Sequence, residues 1–72
     1  MSAKSRKDKI LEAMEYLEGK DYAIIESLYG FNGKPRRSVK SVKKYFKVSD
    51  IYLTVLKEKL EELIEEVSQR DN

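Results

Sequence analysis

Lys34, Arg36, Arg37, Lys40, Lys43, Lys44 and Lys47 put seven positive charges into residues 34–47, a stretch without a single carboxylate. Like charges this dense repel one another and need a reason to be together. The chemistry on offer is binding. Lysine and arginine hold phosphate oxygens as point charges or planar forks, and a nucleic-acid backbone supplies such oxygens at short intervals. A solvated, lysine-rich helix face of the kind found in highly charged proteins accounts for the same count. The rest of the chain has the opposite balance. Residues 48–72 carry three basic against seven acidic groups, so the net charge of +2 conceals a segregation.

Other chemistries are closed off by composition. Without cysteine there is no disulfide, zinc-thiolate site or thiol nucleophile, and an unstapled chain this short suits a reducing cytosol. Without histidine the commonest general base and transition-metal ligand are missing. The expectation is a protein that is not an enzyme, with no cofactor and no small-molecule substrate. Glu58, Glu61, Glu62, Glu65 and Glu66 lack the glycine-turned loop that hard-cation sites use, and read as a solvated helix face. Tyr16, Tyr22, Tyr29, Tyr45 and Tyr52 are scattered along the chain, which fits packing with a wet hydroxyl better than a platform for stacked bases. The basic N-terminus runs into charged residues, unlike a secretory signal. The longest apolar run, Tyr22 to Ile25, is far short of the ~20 residues of a spanning helix.

The elements that position the cations follow from caps and periodicity. The 72 residues, 40% hydrophobic and 39% charged, suit one all-helical domain over 1–72: a compact bundle of four helices with a long last one. Such a chain buries only roughly 60% of its unfolded surface, so the core is lean. Ser5 and Asp8 resemble a capping box, and Ile10, Leu11, Met14 and Leu17 form a stripe, predicting a helix from about Arg6 to Glu18. Gly19 stops it, Asp21 is placed to cap a short second helix, and Gly30 marks that helix's exit. Asn32-Gly33 and Pro35 predict a loop over 30–37.

Ser38 then caps a third helix with Val39, Val42 and Phe46 on one side and Lys40, Lys43, Lys44 and Lys47 within roughly a 100° arc on the other. Lys47-Val48-Ser49 is a tight link in which Ser49 caps the last helix and Val48 plugs the angle, the pattern of a helix-turn-helix. Leu53, Leu56, Leu60, Leu63 and Val67 form a heptad-like seam that carries the last helix to about Ser68. That seam can close on the earlier helices or on a second copy.

The run Tyr29-Gly30-Phe31-Asn32-Gly33-Lys34-Pro35-Arg36-Arg37-Ser38, followed by Val42, Phe46, Val48, Ser49, Leu53 and Leu56, resembles region 4 of bacterial sigma factors across about residues 21 to 63. The resemblance implies a domain that docks on the beta-subunit flap of RNA polymerase and lays its last helix in the major groove of the minus-thirty-five promoter element. A stand-alone or phage-type version is implied, since the other sigma regions are not present. Helix-turn-helix geometry makes Arg36, Arg37, Ser38, Lys40, Lys43, Lys44 and Lys47 the phosphate candidates, and Ser49, Asp50, Ile51 and Thr54 the candidates on the recognition helix. Members of the family usually read the promoter with an Arg-Glu pair and a further Arg, where this chain has Asp50, Ile51 and Thr54. No arginine remains to contact guanine, a contact worth ~1–3 kcal/mol of discrimination.

Two functions are therefore expected in turn. The first is a cytoplasmic DNA-binding transcription factor or regulator acting with RNA polymerase on double-stranded DNA. The alternative keeps the fold as a protein-binding module for polymerase, a partner regulator or a second copy, with Ile51 and Val55 as the interface.

Overall fold

The computed structural model describes residues 5–70, and every element in it is helical. Four helices follow one another: α1 Arg6–Met14, α2 Lys20–Tyr29, α3 Val39–Phe46 and α4 Asp50–Arg70. At 1.5 Å per residue α4 is about 31 Å long and sets the long axis of a molecule measuring 42 × 24 × 18 Å. Helix α1 lies along α4, and α2 packs on α3. No helix is long and apolar enough to cross a membrane.

The predicted caps at Ser5, Ser38 and Ser49 are all present. Ser5 Oγ accepts from the Asp8 amide at 3.2 Å, and Asp8 lies in the first turn, where a carboxylate complements the helix dipole. Helix α1 ends earlier than its predicted limit at Glu18. After Met14 the amides of Glu15, Tyr16 and Leu17 bond three residues back, to Glu12, Ala13 and Met14, which tightens the chain into a turn. That turn lets Leu17 reach the core, where it is 5% exposed. Gly19, at φ 57 and ψ −132, then takes a backbone conformation that essentially only glycine adopts.

The predicted cap at Asp21 is also corrected. Helix α2 starts at Lys20 with Gly19 at the N-cap and no side-chain cap. Asp21 instead accepts a hydrogen bond from the Tyr52 hydroxyl, tying the start of α2 to the first turn of α4. That bond, with partial burial and the nearby negative charge, raises the Tyr52 pKa above its ordinary value. Long-range pairing has displaced a local cap.

One core joins all four helices: Met14 from α1, Ile24 and Ile25 from α2, Val42 from α3, and Leu60 and Val67 from α4 are each at most 1% exposed. The leucine seam closes on α1 within the chain, with one change of membership. Ile64 takes a buried place at 6%, while Leu63 is half-buried on the seam's edge. Both flank a stripe wider than a strict heptad seam, as expected of a globular helix. Val48 packs against the same core at the corner between α3 and α4. Val39 does not join Val42 and Phe46 inside. It is 41% exposed at the mouth of a cleft beside α4.

Candidate nucleic-acid interface

The geometry starts with Ser38, whose extended backbone ends the loop and whose Oγ accepts from the Ser41 amide at 3.1 Å. At the other end of α3, Lys47 adopts the left-handed conformation, φ 57 and ψ 50, and its amide and that of Val48 both donate to the Lys43 carbonyl. This glycine-type helix stop occurs at a lysine, at a cost of order 1–3 kcal/mol that the surrounding packing offsets. Ser49 Oγ accepts from the Tyr52 amide at 3.1 Å and opens α4 in a new direction. Two helices joined by a three-residue corner are the mechanical content of a helix-turn-helix.

The loop that carries Arg36 and Arg37 is held by two contacts. Gly30 is left-handed at φ 71, and a Cβ there would stand 3.1 Å from the Arg36 Cβ, so the close approach of loop to helix end needs glycine. The Arg37 amide donates to the Ser27 carbonyl at 2.8 Å. Tyr29 and Phe31 stack at 5.3 Å between ring centroids, and Asn32 Nδ2 donates to Glu26 at 2.8 Å, closing the loop from within.

The seven phosphate candidates do not form one uniform surface. Lys40, Lys44 and Lys47 are exposed and have no partner among the described residues. Arg36 is likewise exposed and unpaired among them. Arg37 turns inward: its guanidinium lies 4.5 Å from the Tyr45 ring centroid and donates to Ser41 Oγ at 3.4 Å. Lys43 Nζ lies 2.9 Å from Asp50 Oδ1, so a phosphate candidate and a recognition candidate neutralise each other across the corner. The Ser38 hydroxyl is engaged in its cap.

On the recognition helix, the Ser49 hydroxyl is engaged in its own cap and Thr54 Oγ1 donates to the Asp50 carbonyl at 3.0 Å. Ile51 and Val55 are 76% and 58% exposed on the face opposite the core. Glu58 and Glu62 continue that face as exposed carboxylates. No group of three His, Cys, Asp or Glu side chains among the described residues is placed to hold a metal ion.

Sequence reasoning missed Lys57. It sits on the flank of α4 and lines a cleft of about 480 Å³ with Tyr29, Arg36, Arg37, Ser38 and Val39. The only advance signal is its place seven residues after Asp50, on the same side of the helix. Nothing in that spacing says that the loop packs there. Compared with family models, curated proteins and solved structures, the chain matches none. The resemblance to sigma region 4 is thus a reading of the sequence alone, from the run over residues 29–38 with Val42, Phe46, Val48, Ser49, Leu53 and Leu56.

Proposed function

We propose that the protein is a DNA-binding transcription factor or regulator of sigma region-4 type, working in the cytoplasm with RNA polymerase at promoters. The observation that carries this reading is the corner at Lys47-Val48-Ser49, with Lys40, Lys44 and Lys47, which have no partner among the described residues, on the flank of α3 beside it. Such a corner presents the first turn of α4 to base edges while the preceding helix meets the phosphates. The contact with the polymerase beta flap is proposed from the family resemblance.

Binding that rests on phosphates releases counterions, so affinity falls with salt. Fluorescence anisotropy on a labelled duplex is expected to give a log-log salt slope of about −0.9 per phosphate contacted. An affinity indifferent to salt overturns the reading.

The exposure of Ile51 and Val55, together with the engagement of Asp50 by Lys43, favours a second reading. In it the same domain binds polymerase, a partner regulator or a second copy through α4 without reading DNA sequence. Co-purification with polymerase is then expected to be lost in Ile51→Asp and kept when the α3 lysines are changed. The reverse pattern removes this alternative.

A further inference from the structure

The end of α2, the loop over 30–38 and the middle of α4 enclose a cleft whose charged lining is entirely cationic. Arg36, Arg37 and Lys57 are among its lining residues, with no carboxylate among them. Arg37 is partly engaged by the Tyr45 ring and Ser41, while Arg36 and Lys57 have no partner among the described residues. Folding has therefore brought cations from two separate elements to one concavity whose own lining holds no carboxylate, while Lys57 borders Glu58, Glu61 and Glu62 in a separate groove along α4.

We propose that this cleft binds a phosphate group, with Arg36 and Lys57 as its charged ligands. Leu28, Tyr29 and Val39 form its less polar walls, which displace water and strengthen the field between the two cations. Ser38 stands at the rim, where the amides of the first turn of α3 add partial positive charge. Arginine supplies a planar fork and lysine a point charge, a combination suited to a tetrahedral oxyanion. The phosphate is either a diester of the DNA backbone or a free phosphate. The proposal deepens the DNA-binding reading and rests on it only for the diester.

The test has two arms on the full chain. In the first, amide chemical shifts are followed as inorganic phosphate replaces chloride at constant ionic strength. Saturable shifts are expected at residues 36–39 and around Lys57, lost in Lys57→Gln and kept in Lys59→Gln. Lys59 is an exposed lysine on another side of α4 and does not line the cleft.

In the second arm, Lys57→Gln is expected to reduce the magnitude of the duplex salt slope by about 0.9 for every sequence, with Lys59→Gln unchanged. Localised phosphate shifts without a change in slope assign the cleft to free phosphate. A changed slope assigns it to the DNA backbone. Duplex binding that ignores Lys57, together with no localised phosphate shift, overturns the site and leaves the DNA reading standing. A protein that binds no duplex yet shows Lys57-dependent shifts keeps the site and loses that reading.

Discussion

Leu60→Ala is expected to remove roughly 2–5 kcal/mol of stability. Leu60 is 1% exposed midway along the face of α4 that packs on α1. Truncation leaves a cavity between two helices whose backbones are held elsewhere, at Ser5 by its cap and at Tyr52 by Asp21, so neighbouring atoms refill it only in part. At about 0.05–0.15 kcal/mol per residue a chain of 72 residues has about 4–11 kcal/mol in total. The loss is therefore a large share of the whole. Each kcal/mol moves the melting temperature of a domain this size by about 4–8 °C, so a drop of about 8 °C or more should appear in circular-dichroism melts. Val55→Ala, at a position 58% exposed on the opposite face, should stay within about 0.5 kcal/mol of wild type. Equal melting of the two variants would show that α4 is not seated on α1 through this seam.

Lys40→Glu combined with Lys44→Glu is expected to weaken duplex binding by at least about a hundredfold near 0.1 M salt. Each lysine–phosphate pair contributes about 0.9 decades of affinity per decade of salt, so between 1 M and 0.1 M salt the loss of both lysines accounts for a factor of about 60. Repulsion of the new carboxylates by phosphate adds to it. These two lysines isolate charge from folding because they are exposed and lack partners among the described residues. Arg37 and Lys43 do not serve, since reversing either disturbs the contact with Tyr45 or with Asp50. A glutamate at position 40 lies in the first turn of α3, where the helix dipole favours it, and one at 44 lies in the last turn, where it costs about 0.3–1 kcal/mol, so the fold should survive the pair. Anisotropy on several unrelated duplexes should show the same loss for each. Undiminished affinity in the double variant would remove the phosphate role of α3.

Much of the fold was legible because its signals are local. Ser38 and Ser49 each cap the amide three residues on, as their positions before apolar-periodic runs predicted. The corner at Val48 and the burial of Leu53, Leu56, Leu60 and Val67 follow from spacing in the same way. The misreadings share a cause. The end of α1, the cap expected from Asp21, and the places of Leu63, Ile64 and Val39 each depend on what a neighbouring helix offers. Leu17 drew the chain into a turn, and Tyr52 drew Asp21 away from its own helix.

The candidate site divides along the same line. Charge density over residues 34–47, the positions of the caps and the helix-turn-helix spacing were determined by the order of residues alone, because capping and helical periodicity act within a few residues. Tertiary structure alone decided which cations stay available. Lys43 meets Asp50 across the corner, Arg37 settles on Tyr45, and Lys57 lines the same cleft as Arg36 from a different helix. Electrostatic energy depends on distance through space and on the surrounding medium, and both are set only when the helices have packed.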